Sequence, residues 1–252
     1  MKITKRQGEI LNRIIEDYIG LAQPISSEFL EKKHKFSISP ATIRIEMQRL
    51  TDGGFIFQPH TSAGRVPTDK GYRFFVDELI EKGISELGEE FEIEKWFEEE
   101  IEDTVKFIQS FTKHLASASS ALALSYLPKE KILWKEGWEN VLEEPEFREA
   151  DYIFNFAKFL KNFEENIGDF EVNYPSVAKG GDEGEAFIDS QIHIYIGKEN
   201  PFLKTKDFSI ISSRCHFLDE KEGIVSLLGP KRMAYDKNIS LITSLVRALG
   251  NF

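Results

Sequence analysis

The residues best suited to chemistry are hydrogen-bond donors on one side of a predicted helix that begins at Ser39. In its sequence, SPATIRIEMQRL, the residues Ile43, Met47 and Leu50 recur at the i, i+4, i+7 spacing of a buried face. Five side chains lie largely off that face: Thr42, Arg44, Ile45, Gln48 and Arg49. Arginine can read guanine and glutamine can read adenine in the major groove of DNA. The same pattern is also typical of a plain three-helix bundle with a solvated polar face.

The residue types give little support for a metal site, a phosphate-binding loop or a catalytic nucleophile. The five histidines and the single cysteine show no spacing of metal ligands. His193 and His216 fall on predicted strands, where we expect packed or surface residues. The glycine-rich stretch 179–184 lacks the phosphate-loop pattern, and no G-x-S-x-G nucleophile motif is present. We therefore expect no metal, no cofactor and no enzymatic activity, and we expect Cys215 to be a core or strand residue.

The elements that must position the donors follow from residues that start and stop helices. Three helix starts are indicated by side chains that accept backbone N–H bonds: Thr4, Ser26 or Ser27, and Ser39 followed by Pro40. The corresponding ends are predicted at Gly20 with Pro24, at about Lys33, and at Asp52-Gly53-Gly54. A short helix, a turn and a donor-bearing helix therefore follow an opening helix.

The segment after the third helix favours the DNA-binding interpretation. Residues 55–59 are predicted to form a short strand, and residues 60–67 a tight loop with a return strand. Thr68 can then cap another helix over residues 69–77. Three helices followed by a β-hairpin make a winged helix-turn-helix, whose hairpin loop can lie against the sugar-phosphate chain or place Arg65 in a minor groove.

One long run in this region resembles a known family. The sequence ISPATIRIEMQRLTDGGFIFQPHTSAGRVPTDKGYRFFVDEL, with the opening RQGEILNRIIEDYI, is similar to the HrcA family of heat-inducible transcription repressors. SPATIR, QPHTSAGR and PTDKGYR are the closest motifs. The resemblance implies repression of heat-shock chaperone operons through an inverted-repeat operator, called CIRCE, and loss of DNA binding on heat stress. It also implies a chaperonin partner that helps keep the repressor active.

The resemblance and the helix pattern together predict the DNA contacts of a homodimer on double-stranded DNA. Arg44, Gln48 and Arg49 are expected to contact bases or adjacent phosphates. The residues expected to hold the sugar-phosphate backbone are Ser39, Thr42, His60, Thr61, Ser62 and Lys70, with Arg65 on the wing. Ile45 departs from the family, which generally has a polar residue there, typically Asn, so the operator preference could differ.

The rest of the chain predicts a mixed helical and strand domain. Residues 85–115 are rich in Glu, with apolar residues at mostly helical spacing. A helix is expected to start at Pro145-Glu146, with an apolar stripe formed by Ala150, Ile153, Phe154, Ala157, Phe159 and Leu160. Three strands are predicted at 187–196, 207–217 and 222–228. Gly229-Pro230 is expected to turn the chain into a closing helix at 236–250.

These segments are more loosely similar to the C-terminal part of the same family, which is a GAF-like α+β domain. ALSYLP at 123–128 resembles the first strand of that domain, but the chain then continues almost directly to EGWENVLEEPEF. Several strands and an inserted dimerising domain therefore look absent. The predicted fold is α+β, with a winged helix-turn-helix over 1–82 and a reduced GAF-like regulatory and dimerisation domain over 83–252. That second domain is expected to be helical over 83–167, with the sheet and closing helix over 168–252.

Charge and composition are consistent with a soluble cytoplasmic protein. Residues 1–82 carry 13 Lys and Arg against 11 Asp and Glu, whereas the remainder carries 19 against 32. A small basic module on an acidic body suits local nucleic-acid contact. One cysteine excludes an intramolecular disulfide, and we expect neither a signal peptide nor a membrane-spanning segment. Two alternatives stay open: a chaperone- or partner-binding module with weak DNA affinity, and a ligand sensor or enzyme of GAF-like fold.

Overall fold

The computed structural model describes five stretches of the chain: residues 3–82, 103–167, 192–200, 206–217 and 221–249. The chain divides into two compact units, Met1–Glu81 and Lys82–Phe252. The first unit contains four helices and a two-stranded sheet, and the second contains a five-stranded sheet with helices on both faces. The mixed helix and strand content predicted from the sequence is confirmed. In the described part of the chain, no helix is long and apolar enough to cross a membrane.

The first unit is built from capped helices. In chain order its elements are α1 Lys5–Leu21, α2 Ser27–His34, α3 Pro40–Asp52, β1 Ile56–Phe57, β2 Val66–Pro67 and α4 Asp69–Glu81. Thr4 caps α1 reciprocally with Gln7, and Ser26 accepts the Phe29 amide at the start of α2. The core contains side chains from α1 and α3, including Ile10, Ile14, Ile43 and Leu50.

One predicted helix end in this unit is wrong. Gly20 lies inside α1, which continues to Leu21. The helix ends because Ala22 adopts the left-handed conformation, with φ 53°, and its N–H donates to the Tyr18 carbonyl. Pro24 follows immediately, as is common after a helix end.

The second unit is organised around an antiparallel sheet with strand order β4-β3-β7-β6-β5. Its elements are α5 Thr104–Ser119, β3 Leu122–Leu127, β4 Ile132–Glu136, α6 Trp138–Leu142, a 3₁₀ turn at Pro145–Arg148, α7 Ala150–Asn166, β5 Ile192–Ile196, β6 Phe208–Phe217, β7 Lys221–Pro230 and α8 Tyr235–Leu249. Helices α5 and α8 pack on one face. The other face carries an aromatic cluster in which α7 packs on Leu124, Phe208 and Ile210.

Several predictions for this unit need correction. Strands β3 and β4 lie inside the stretch 83–167 that was expected to be helical, and β4 was not predicted. Gly229 and Pro230 are still paired within β7, so the turn comes after them. The predicted glycine-rich loop at 179–184 and most of the Glu-rich helical region lie outside the described residues.

The apolar stripe predicted for α7 is confirmed at Phe159 and Leu160, which are buried. It is wrong at its other four residues, which are exposed: Ala150, Ile153, Phe154 and Ala157. Phe156 and Phe163 complete the buried side. These aromatic side chains pack against the sheet, where Phe159 stacks on Phe208 with ring centroids 5.0 Å apart.

Candidate nucleic-acid interface

Helix α3 has a well-defined start that leaves its first turn accessible. The Ser39 hydroxyl accepts the Thr42 amide at 3.2 Å and lies 3.0 Å from the Thr42 hydroxyl. Pro40 occupies the first turn, where a missing N–H costs nothing. Both Ser39 and Pro40 are exposed. The predicted start and end of this helix are confirmed.

The buried and the exposed residues of α3 lie on the two faces that the spacing predicts. Ile43, Met47 and Leu50 are buried, and Arg44, Ile45, Gln48 and Arg49 are exposed, with Thr42 half-buried. Gln48 donates to Asp52 at 2.8 Å within the helix. None of the described residues forms a hydrogen bond or ion pair with the Arg44 guanidinium. Four of the predicted contact residues therefore lie along α3, with Ser39 at its N-cap, and Arg44 is available for an external partner.

A buried carboxylate underlies this exposed face. Glu46 is 4% exposed and accepts a hydrogen bond from Gln7 of α1 at 2.9 Å. Its other oxygen accepts from Arg49 at 3.0 Å, and Arg6 lies 3.8 Å away. Glu46 therefore links α1 to α3 and holds the Arg49 guanidinium through one of its terminal nitrogens. The sequence offered one signal: Glu46 falls between Ile43 and Leu50, on the buried face.

A second buried carboxylate fixes α2 against α1. Asp17 is contacted by His34 Nε2 at 2.7 Å and by Lys33 Nζ at 2.5 Å. Leu30 is fully buried on the same short helix. The sequence reasoning missed this pairing because Asp17 and His34 come together only when α2 folds back on α1.

The hairpin is joined to the helices through backbone pairing. Ile56 pairs with Pro67 and Phe57 with Val66, and beyond them Arg65 forms a bridge with Ile25. The two bridging bonds measure 2.9 and 2.8 Å. At Gly64 an added Cβ would lie 2.5 Å from the Ile25 backbone, so only glycine permits this approach.

The hairpin tip is a compact turn with exposed side chains. Gln58 Nε2 donates to the Thr61 and Ala63 carbonyls, each at 2.9 Å. The Ala63 amide donates to the His60 carbonyl at 2.9 Å. These bonds order the backbone while leaving exposed the predicted contact residues of the tip: His60, Thr61 and Ser62.

The two remaining predicted contacts, Arg65 and Lys70, have partners within the unit. Arg65 is half-buried and its Nε donates to the Thr51 hydroxyl at 3.1 Å, at the end of α3. Lys70 is exposed and donates to the Gly53 carbonyl at 2.8 Å, with its ammonium 4.3 Å from the centre of the Phe55 ring. Both side chains therefore tie the hairpin and α4 to the end of α3.

Among the described residues, no group of three or more His, Cys, Asp or Glu side chains could hold a metal ion. His193 lies on β5, where burial and the nearby Arg214 lower the pKa of its imidazole to about 4. Cys215 is buried on β6, and burial raises the pKa of its thiol. The prediction that Cys215 is a core strand residue is confirmed.

Comparison with known proteins identifies the family. A model described as the HrcA protein C-terminal domain matches residues 68–239, which is more than half of the chain. The chain belongs to the HrcA family. A heat-inducible transcription repressor HrcA from Natranaerobius thermophilus is 26% identical, over 99% of this chain and 96% of the relative. The namesake from Thermodesulfovibrio yellowstonii is also 26% identical, over 98% and 97%.

The alignments also show that this HrcA chain is short. The match to the Natranaerobius repressor runs over 347 positions, whereas this chain has 252 residues, so about a hundred positions of the relative have no counterpart. A crystal structure of a hypothetical protein has a similar fold, with a TM-score of 0.74 at 21% identity, covering 99% of this chain and 98% of the other.

Proposed function

We propose that this HrcA-family chain is a DNA-binding transcription repressor of heat-shock genes. The observation that carries the proposal is the exposed face of α3, where Arg44 lacks a partner among the described residues and Gln48 and Arg49 follow one turn later. Relatives that match nearly the whole chain are named heat-inducible transcription repressors. The chain acts as a regulator and carries out no catalysis.

In this proposal the unit that ends near residue 82 is a winged helix-turn-helix. Helix α3 enters the major groove, where Arg44, Gln48 and Arg49 contact base edges or adjacent phosphates. The residues that hold the sugar-phosphate chain are Ser39, Thr42, His60, Thr61, Ser62 and Lys70, with Arg65 on the wing. Arg65 and Lys70 would reach DNA by exchanging their present bonds to Thr51 and Gly53.

The operator is an inverted repeat and the repressor acts as a cytoplasmic homodimer. One N-terminal unit then binds each half-site, and the half-sites lie about one helical turn, ~34 Å, or a multiple of it apart. Residues 83–252 form a GAF-like regulatory and dimerisation domain, whose loss of structure on heating would release DNA by mass action. A chaperonin that binds the folded repressor would oppose that release.

The charge distribution along the chain also supports DNA binding by the N-terminal unit. The first 82 residues have a small excess of basic residues, whereas the remainder has a large excess of acidic ones. The phosphates of DNA attract the basic N-terminal unit and repel the acidic remainder of the chain, so DNA approaches the N-terminal unit.

The test is a titration of the full chain against inverted-repeat duplexes at several salt concentrations. We expect tight, sequence-specific binding that weakens as salt rises. Arg44→Ala should weaken specific binding by about 1–3 kcal/mol and relax discrimination at one base pair. Arg247→Ala, at an exposed position in the last turn of α8, is the matched control and should bind as the unchanged chain does.

The outcomes distinguish a contact between Arg44 and a base from a contact between Arg44 and a phosphate. Loss of affinity for every duplex alike would assign Arg44 to a phosphate, and an unchanged affinity would contradict the docking of α3.

A second candidate function rests on the positions of the relatives that have no counterpart in this chain. In this second function, the chain binds a chaperone or a longer relative and has weak DNA affinity of its own. Binding of DNA only when such a partner is added would favour this second function.

A further inference from the structure

Ile45 stands at the centre of the exposed face of α3. Its neighbours one turn away on the helix surface are Ala41 and Thr42 on one side and Gln48 and Arg49 on the other, because residues three and four apart lie side by side. Ala41, Gln48 and Arg49 are exposed as well. Ile45 itself is 53% exposed, so a branched apolar side chain protrudes beside the polar side chains of Gln48 and Arg49.

In the described part of the structure, nothing removes Ile45 fully from water. A β-branched residue is also a poorer choice than Ala, Gln or Lys for the stability of an exposed helical position. Ile45 can neither donate nor accept a hydrogen bond, so it can take part in recognition only by apolar contact. On the major-groove edge of a base pair, the apolar group is the C5 methyl of thymine.

We propose that Ile45 reads a thymine by packing on its C5 methyl group and so sets one base pair of the operator. The inference rests on the proposed function, since it requires that α3 enter the major groove. It assigns to Ile45 a kind of readout that Arg44 and Gln48 cannot supply, because their polar ends seek the acceptors and donors of guanine and adenine.

The experiment uses the full chain and a duplex that the chain itself enriches from a random pool. Each thymine of the enriched duplex is replaced in turn by uracil, which lacks only the methyl group. At one position in each half-site we expect binding to weaken about three- to fivefold, the effect of one buried methyl-sized group. At that position Ile45→Ala should bind the thymine and uracil duplexes equally, whereas Ile45→Val should retain most of the difference.

Thr42→Ser is the matched control, because it removes a different methyl group beside Ile45 and keeps the hydroxyl that lies near Ser39. The thymine preference should survive in Thr42→Ser. The inference is overturned if no uracil substitution matters, or if Ile45→Ala keeps the preference, or if Thr42→Ser loses it. Failure to enrich any duplex would overturn the proposed function itself, and the inference with it.

Discussion

At the scale of single residues, Glu46 most clearly joins folding to the candidate interface. A carboxylate removed from water is stable only when its oxygens are paired, and here Gln7 and Arg49 supply the bonds. The Arg49 guanidinium is thereby held through one terminal nitrogen, while the side chain remains 58% exposed. The network therefore stabilises α1 on α3 and limits the conformations of a predicted DNA contact.

We expect Glu46→Gln to lower the free energy of opening of α1 and α3 by about 1–3 kcal/mol, because the charged acceptor of two hydrogen bonds is lost. Native-state hydrogen exchange of the amides in both helices measures this free energy. Glu16→Gln is the matched control, since Glu16 also pairs with an arginine three residues away, Arg13, but both side chains are largely exposed. The control should cost less than about 0.5 kcal/mol. Equal losses in the two variants would contradict the role of burial.

Residue spacing predicted the exposed face of α3 but not the network behind it. The burial of Ile43, Met47 and Leu50 follows from the 3.6-residue period alone. The burial of Glu46 depends on Gln7, 39 residues away, and so on how α1 packs on α3. The same holds for Arg65, whose bond to Thr51 joins the hairpin to α3 and gives no sign in the local sequence.

At the scale of elements, the hairpin depends on one close backbone approach. The Ile25–Arg65 bridge extends the β1–β2 pair toward the segment between α1 and α2. The hairpin is thus attached to the helical part of the unit by backbone hydrogen bonds as well as by side-chain packing. Its position relative to α3 should therefore be sensitive to the size of residue 64.

Gly64→Ala should detach the hairpin from the helices. The added Cβ would lie 2.5 Å from backbone atoms of Ile25, so the two bridging hydrogen bonds must lengthen or break, at a cost of about 1–3 kcal/mol. Faster hydrogen exchange of the Ile25 and Arg65 amides, the two donors, would show the change directly. Gly20→Ala is the control: its Cβ meets nothing within 4 Å, and a helical alanine should add about 0.5–1 kcal/mol of stability. An unchanged exchange rate at both bridging amides in Gly64→Ala would contradict this account.

The bounds of a helix were predictable from the sequence where nearby residues determine them. The starts of α1, α3 and α4 follow from capping hydroxyls whose bonds span three residues. The face of α7 was not predictable in this way, because aromatic and aliphatic residues occur on several sides of that helix. Contact with Phe208 and Ile210 on the sheet selects the side with Phe156 and Phe159. Strand β4 likewise forms by pairing with β3, and its sequence, ILWKE, has no clear alternation of its own.

At the scale of the whole molecule, the positions of the tryptophans allow unfolding of the second unit to be followed separately from that of the first. The three tryptophans, Trp96, Trp134 and Trp138, all lie beyond residue 82. Tryptophan fluorescence therefore reports on the second unit alone. Because a repressor of this kind would be controlled through its second unit, the conditions that destabilise that unit are of direct functional interest.

Mild acid should destabilise the second unit through His193. Burial and the positive charge of Arg214 lower the pKa of His193 from 6.5 to about 4. In the unfolded chain the imidazole regains its ordinary pKa near 6.5, so between pH 6.5 and 4 the unfolded chain binds a proton that the folded chain does not. The free energy of unfolding is therefore unaffected by this group above pH 6.5, and it falls as the pH drops toward 4.

Urea unfolding of the full chain, followed by tryptophan fluorescence at pH 7 and pH 5, tests this linkage. His193→Gln should reduce the loss of stability between the two pH values by on the order of 1 kcal/mol, a figure that allows for partial solvent screening of the imidazole. His114→Gln is the matched control, because His114 lies exposed on α5 of the same unit. A pH response reduced as much in the control as in His193→Gln, or reduced in neither, would mean that other groups govern acid sensitivity. The proposed link between protonation of His193 on β5 and the stability of the second unit would then be wrong, although the fold and the DNA-binding proposal would stand.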